Sequence, residues 1–346
     1  MKYSDIIGQQ HIKEHFQGAV INNTVSHAYI INGEKSSGKA MLADTFAMSI
    51  MCEAGGSGPC MECESCRKIA NKCNPDFIRL VRDTEKKADI IRIDEIRRQI
   101  IDSMYERPYN GDHKVYIIED ADKMNVQAQN AILKTLEEPP EYAVMILTTT
   151  NVERLLPTII SRCVILNMRP VEDSVIKQFL RERGGLSETN IDIITAIASG
   201  NVGRAKLLLQ DEEFINFQDS ILDILKDLPK TGYRRVLEGV ETICSLTGRE
   251  KKKKSKTKSK YGPEDVFDLF TLWYRDILLY KATGDIEDLI FKNLATEIAL
   301  QAGYFRLDAI ETIFKEIEDA RGKIKSFINY EATMELLLIN IQEISK

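Results

Sequence analysis

Short apolar runs alternate along the first half of the chain with stretches in which apolar residues recur at helical spacing. Runs of this length, bounded by polar and turn-forming residues, are typical of strands that are buried on both faces of a parallel sheet. The predicted strands are 28–31, 77–81, 115–118, 143–149 and 164–166. Because helical patterns lie between them, the sequence predicts a parallel three-layer α/β domain.

The strand pattern stops after Arg169-Pro170, and only helical spacing follows. Helices are predicted in this part of the chain at 175–183, 191–199, 214–228, 263–282 and 307–343. One amphipathic helix is predicted earlier, between the strands, at 90–101. Long helices without strands bury their apolar faces against one another. We therefore expect an α/β domain over 1–170, a small helical part over 171–210 and a helical domain over 211–346.

Composition narrows the class of protein. The 346 residues are 43% hydrophobic and 29% charged, which is ordinary for globular protein, and no apolar run approaches the ~20 residues that span a bilayer. The first residues lack the apolar core of a signal peptide, so we expect a cytoplasmic protein without membrane contact. A net charge of −6 argues against a protein that grips nucleic acid over most of its surface.

A glycine-rich loop follows the first predicted strand. Residues 33–40 fit the pattern Gly-x4-Gly-Lys, with Gly33, Gly38 and Lys39 in place. Glycines let backbone amides surround phosphates, and the lysine would reach the β- and γ-phosphates of ATP. Ala40 stands where the pattern needs a Ser or Thr hydroxyl for Mg²⁺, so a strand-to-helix turn that holds no nucleotide explains the residues equally well.

Acidic residues follow the third predicted strand. Glu119, Asp120 and Asp122 come at its carboxyl end, where open α/β sheets place the groups that handle ligands. Asn125 then predicts the N-cap of a helix that ends before Pro139. This is the pattern of a Walker B strand and the helix that follows it.

The cysteines give the strongest metal signal. Cys60, Cys63 and Cys66 have the spacing Cys-x2-Cys-x2-Cys, and Cys52 precedes them across a glycine-rich stretch. Four thiolates can complete a tetrahedral Zn²⁺ site, and a segment with almost no core needs such a cross-link. The spacing favours a structural zinc over free thiols or a redox pair. Cys73 is a spare thiol that could compete as the fourth ligand.

Two strings of residues resemble a known family. AILKTLEEPPEYAVMILTTTN at 131–151 and LLPTIISRC at 155–163 are similar to the bacterial clamp-loader subunits of DNA polymerase III, which are AAA+ ATPases. The resemblance covers most of 1–205. It implies a zinc module at about 52–73, a helical lid over 171–210 and a collar over 211–346 through which such subunits form a ring.

The resemblance also implies roles for single residues. Arg162, in the Ser-Arg-Cys motif, would be an arginine finger directed at the γ-phosphate bound by a neighbouring subunit. Thr150 or Asn151 would be sensor 1, which orients the attacking water, although a strand end bonded to its own loop explains them equally well. Arg204 would be sensor 2, near phosphate, although a role in domain packing is an equal alternative.

The resemblance implies a part in DNA replication. Hydrolysing relatives carry Asp-Glu where this chain has Glu119-Asp120, so we expect weak or absent ATP hydrolysis and leave nucleotide binding open. The sequence over 73–97 is closer to that of stator-type subunits, which do not drive the complex by hydrolysing ATP, than to that of gamma/tau motor subunits. A motor subunit remains the alternative. The implied partners are gamma/tau and delta subunits and, through the complex, the sliding clamp and primer-template DNA; no polymerase active site is recognisable.

A run of basic residues at 249–260 interrupts the predicted helical domain. Like charges repel one another, so the run favours a solvated loop. Contact with DNA is the alternative, and it would suit a zinc-stabilised nucleic-acid-binding adaptor.

Overall fold

The computed structural model describes residues 1–80, 90–183, 185–249 and 259–345. Most of the basic run 249–260 lies outside the described residues, as does Val81 at the end of the second predicted strand. The chain divides into two compact units, Met1–Val175 with Gly200–Arg204 and Ile176–Ser199 with Ala205–Lys346. The division at 170 and 210 into core, lid and collar stays a prediction.

The first unit contains a parallel five-stranded sheet in the order β2-β3-β4-β1-β5. Its strands are β1 Ala28–Asn32, β2 Phe77–Leu80, β3 Lys114–Ile118, β4 Ala143–Thr149 and β5 Val164–Asn167. The predicted parallel α/β fold is confirmed. Because all strands run the same way, their carboxyl ends meet at one edge of the sheet.

Both faces of the sheet are covered by apolar side chains. Alternate residues of a strand point to opposite faces, so Tyr29 and Ile31 join one core and Ala28 and Ile30 the other. All five residues of β3 are buried, as its continuous apolar run predicts. The sheet therefore forms the middle of three layers.

The helices that cover this sheet include a π-helical segment. They are α1 Gln10–Ile21, α2 Lys39–Ile50, α3 Glu64–Ala70, α4 Ile93–Ile96, α5 Asp102–Met104, α6 Val126–Glu137 and α7 Pro157–Ile160. A π turn over Arg97–Ile101 joins α4 to α5, where the sequence predicts one helix over 90–101. The wider turn keeps Ile96, Ile100 and Met104, spaced four apart, on the buried side. The predicted cap of α6 is confirmed, because the Asn125 side-chain oxygen accepts a hydrogen bond from the Ala128 amide at 2.8 Å.

Among the described residues after β5, every regular element is a helix. The α-helices are α8 Asp173–Arg183, α9 Glu188–Ala198, α10 Val202–Leu209, α11 Phe214–Asp227, α12 Tyr233–Leu246, α13 Pro263–Thr283, α14 Ala295–Tyr304, α15 Leu307–Lys325 and α16 Tyr330–Ile344. In the second unit, the buried Trp273 indole donates to the Gln301 side-chain oxygen at 3.0 Å, and the Gln301 amide donates to the Leu225 carbonyl at 2.8 Å. None of the described helices has the length and apolar character that a bilayer crossing requires.

The single helix predicted over 307–343 is wrong. The chain turns between α15 and α16, where Phe327 takes a left-handed conformation with a φ of 61°. The Asn329 side chain then accepts a hydrogen bond from the Ala332 amide at 3.0 Å and caps α16. Glycine usually occupies such a left-handed position, and its absence hid the turn from sequence reasoning.

Candidate functional site: a phosphate loop, its carboxylates and a cysteine cluster

The glycine-rich loop joins β1 to α2 at the carboxyl edge of the sheet. Gly38 has a φ of +97°, a left-handed conformation that suits glycine, and α2 begins at Lys39. The buried Lys39 ammonium donates hydrogen bonds to the loop's own carbonyls, at 2.8 Å to Gly33 and 2.5 Å to Glu34. Burial lowers the pKa of Lys39, although nearby carboxylates oppose the shift. The Lys39 side chain thus connects the end of the loop to its beginning.

The first residues of α10 rest on the same loop. Asn201 is buried, and its side-chain amide donates to the Lys35 carbonyl at 2.9 Å. The backbone of Gly203 approaches the loop so closely that an added Cβ would lie 1.8 Å from the Ser36 carbonyl oxygen. Arg204 follows directly, with its amide donating to the Asn201 side-chain oxygen at 3.1 Å. This places the predicted sensor 2 residue next to the phosphate loop.

Glu119, at the end of β3, is held in an ion pair. The Arg79 guanidinium, on β2, contacts Glu119 on one side and Asp44 of α2 on the other. Asp120 has a left-handed backbone with a φ of 49°, and its carboxylate pairs with the Lys123 ammonium at 2.9 Å. Each of the two acids in the predicted Walker B position therefore already has a basic partner.

Asp122 lies against the end of β4. Its carboxylate accepts hydrogen bonds from the Thr149 hydroxyl at 2.9 Å, the Thr150 amide at 3.1 Å and the Thr150 hydroxyl at 3.2 Å. Burial acts to raise the pKa of Asp122, but the hydrogen bonds together outweigh it and hold the pKa below its usual value. The Asn151 side-chain oxygen accepts from the Glu153 amide at 2.9 Å. Of the two candidates for sensor 1, Thr150 bonds to Asp122 after β3, and Asn151 bonds to its own loop.

The donor set at this edge does not fit Mg²⁺ held in the usual P-loop manner. The metal needs hard oxygen ligands in near-octahedral geometry. Ala40 supplies no oxygen, and the Glu119 carboxylate is engaged by Arg79.

Arg162 lies just after α7, and its side chain is 35% exposed. The guanidinium pairs with the Glu137 carboxylate at 2.9 Å and donates to the Thr158 carbonyl at 3.0 Å. Glu137 is itself half-exposed at the end of α6, in the segment that carries the family resemblance. The structure therefore presents Arg162 at the surface, in a defined orientation.

The four predicted cysteine ligands converge. The sulfurs of Cys52, Cys60, Cys63 and Cys66 all lie within 4.8 Å of one another, and none is in a disulfide. Cys60 and Cys66 sulfurs are 3.9 Å apart. Zn–S bonds of 2.3 Å in a tetrahedron place sulfurs about 3.8 Å apart, so the cluster fits Zn²⁺. Cys73 is exposed, contacts the Lys68 carbonyl at 3.4 Å and is not part of the cluster.

Backbone amides point at the cluster. The Cys60 sulfur accepts hydrogen bonds from the amides of Glu62 at 3.4 Å and Cys63 at 3.2 Å, which lower the pKa of Cys60 to about 6. Burial raises the pKa of Cys66 and of Cys52. Amide hydrogen bonds favour a thiolate, the form that binds metal, while burial of uncompensated thiolates opposes it. A divalent cation would supply that compensation.

Sequence reasoning missed two features of this site. Arg79 is a charged residue within the apolar run of β2, and that interruption was the available signal. The sequence does not predict that Asn201 and Gly203 contact the phosphate loop, as they do in the structure.

The parallel sheet, with a Gly-x4-Gly-Lys loop after β1 and acids after β3, defines a P-loop type of α/β fold. The family model described as DNA polymerase III, delta subunit, matches residues 8–172. The tau subunit of DNA polymerase III from Bacillus subtilis is 30% identical, in an alignment that covers 92% of this chain and 58% of that protein. The sequence matches make this chain similar to subunits of bacterial DNA polymerase III.

Two further proteins are similar over most of their length. The delta' subunit of DNA polymerase III from Bacillus subtilis is 27% identical, and the alignment covers 97% of this chain and 96% of that protein. A solved structure of a DNA polymerase III gamma subunit-related protein from Thermotoga maritima has 19% identity and a TM-score of 0.45, covering 96% of this chain and 99% of that one. This chain thus spans little more than half of the tau relative and nearly all of the delta' relative.

Proposed function

We propose that this chain is the delta-prime subunit of a bacterial clamp loader, a stator that helps to load the sliding clamp onto primed DNA. In this function it hydrolyses no ATP itself. Its helical domain docks to gamma/tau and delta subunits in a ring, and Arg162 completes the ATP site of an adjacent motor subunit. The match to a delta' protein along almost the whole of both chains supports this choice.

The proposed function rests mainly on the position of Arg162. Its guanidinium is at the surface and is oriented by Glu137 and the Thr158 carbonyl, so it is accessible to a neighbouring subunit. A fixed guanidinium presents two N–H groups to a phosphate oxygen pair and stabilises the charge that develops in phosphoryl transfer. The chain's own phosphate loop, in contrast, lacks the Mg²⁺ ligand at Ala40.

The cysteine cluster would hold a structural zinc in this function. Cys52, Cys60, Cys63 and Cys66 are the ligands that we propose, and the metal would fix the segment between α2 and α3, where the chain has few apolar residues. A site closed by four cysteines leaves no open position for substrate, so the metal would stabilise the fold and take no part in chemistry.

A motor subunit of gamma/tau type is the second candidate. The 30% identity to a tau protein and the intact Gly38-Lys39 pair favour it. The missing hydroxyl at Ala40 and the pairing of Glu119 with Arg79 favour the stator.

The test is Arg162→Ala in the complex reconstituted with its motor subunits. An arginine finger contributes about 10³–10⁵-fold to turnover, so the complex should lose the share of ATP turnover that belongs to the site facing Arg162. Arg162→Lys should lose it too, because an ammonium lacks the planar fork. Arg181→Ala, which removes an arginine from another exposed ion pair, is the matched control and should leave turnover unchanged.

Assembly must be measured on the same samples by size-exclusion chromatography. The isolated chain should unfold at nearly the wild-type temperature, because an exposed ion pair contributes only ~0.2–1 kcal/mol. Unchanged turnover in a fully assembled Arg162→Ala complex would remove this residue from the mechanism.

A further inference from the structure

Arg79 joins two carboxylates that sequence reasoning did not connect. It extends from β2 and contacts Asp44 on α2 and Glu119 at the end of β3. The exposed fractions of the three side chains are 23%, 27% and 34%, respectively, so the cluster is shielded from much of the solvent. Ion pairs in such surroundings are screened less than surface pairs.

The cluster lies where a P-loop protein would have ligands for Mg²⁺. Asp44 lies four residues after Ala40, so both are on the same face of α2. Ala40 is where a P-loop protein presents a hydroxyl to Mg²⁺, and Glu119 takes the place of the Walker B acid that holds the metal's shell. The cluster therefore includes the carboxylate that a divalent cation would need.

A positive charge already lies between the two carboxylates, Asp44 and Glu119. The Arg79 guanidinium carries a positive charge. A divalent ion at Glu119 would have to displace this partner and then lie beside its positive charge. The pairing thus opposes Mg²⁺ binding, because it engages the ligand and places a positive charge where the ion would lie.

We infer that the Arg79 guanidinium is a built-in cation that takes the place of Mg²⁺ at Glu119, the first acid after β3. The chain consequently binds no divalent cation at Glu119. The inference rests on the proposed stator function, because a subunit that hydrolyses ATP needs the metal. It identifies Arg79 as the residue that sets the metal requirement of this site.

The test uses Mn²⁺ as the probe, with free Mn²⁺ followed by electron paramagnetic resonance and the full chain first saturated with Zn²⁺. Wild type should show no saturable Mn²⁺ site up to about 1 mM, a range in which weak protein sites fill. Arg79→Met keeps an unbranched side chain but removes the charge, and it should bind one Mn²⁺ at least about tenfold more tightly than wild type. Arg79→Lys, which retains a cation, should behave as wild type.

A double variant assigns the gained site. Arg79→Met with Glu119→Gln should lose the Mn²⁺ affinity that Arg79→Met gains. Saturable Mn²⁺ binding to the wild-type chain that Glu119→Gln abolishes would overturn the inference, and this measurement does not depend on the folding of any Arg79 variant. A folded Arg79→Met, or Arg79→Gln in its place, with no gain in affinity would also overturn it.

The outcomes separate this inference from the proposed function. ATP hydrolysis by the wild-type chain with Mg²⁺ would refute both. Absence of hydrolysis, together with no Mn²⁺ gain in the folded variant, would refute only the role of Arg79.

Discussion

Gly203→Ala tests whether the start of α10 supports the phosphate loop. The added Cβ would lie 1.8 Å from the Ser36 carbonyl oxygen and 2.9 Å from its carbonyl carbon. Ordinary contacts are about 3.5 Å, so the two backbone segments would have to separate by roughly 1.5–2 Å. Such a movement would also break the 2.9 Å hydrogen bond from Asn201 to the Lys35 carbonyl.

The expected decrease in the free energy of unfolding follows from these contacts. Overpacking of this kind destabilises by about 1–3 kcal/mol, and the lost hydrogen bond adds about 1 kcal/mol. Alanine recovers up to about 1 kcal/mol through its better helix propensity. The net loss is therefore about 1–3 kcal/mol, which lowers the melting temperature by about 2–12 °C for a unit of this size.

The assay is thermal unfolding of the full chain by circular dichroism. Gly18→Ala is the matched control, because Gly18 is also helical, lies in the same unit and has no atom within 4 Å of the added Cβ. It should match wild type or unfold slightly later. If Gly203→Ala unfolded as late as Gly18→Ala, the close approach of α10 to Ser36 would be refuted.

Two further predictions concern the metal cluster and a carboxylate. Cys60→Ser or Cys63→Ser should abolish stoichiometric zinc in metal analysis of the purified protein while Cys73→Ser retains it, and a zinc-free wild type would contradict the site. Asp122→Asn should destabilise the chain by about 1–2 kcal/mol at pH 7, because hydrogen bonds to a charged group are lost. The folded pKa of Asp122 is lowered, so its contribution is complete above the unfolded pKa of about 3.9 and disappears as the pH falls through the folded pKa. The difference between wild type and Asp122→Asn in urea unfolding should accordingly shrink between about pH 5 and pH 3, and a constant difference would contradict this.

Local patterns predicted much of the first unit. The burial of β3 follows from its continuous apolar run, and the start of α6 follows from the capping side chain of Asn125. The convergence of Cys52 with Cys60 and Cys66 follows from spacing that suits a tetrahedral metal and from glycines that let the loop return. Each of these signals acts over few residues, so the sequence expresses it directly.

The ion pairs of Arg79 could not be predicted in the same way. Arg79 is 40 residues from Glu119 along the chain, and the contact requires β2 to lie beside β3 in the sheet. The approach of Gly203 to Ser36 likewise joins segments far apart in sequence. The turn at Phe327 could not be predicted for a different reason. Its left-handed position is not occupied by glycine, the residue that usually indicates such a turn.

The most direct measurement is phosphate release by the isolated chain, with calorimetric titration of Mg²⁺-ATP on the same sample. The stator function predicts no release above the buffer rate, because Ala40 offers no ligand to Mg²⁺ and Arg79 engages Glu119. The same chain should restore ATP turnover to its motor partners through Arg162. Steady release that Lys39→Ala abolishes would contradict this function and identify the chain as a motor subunit.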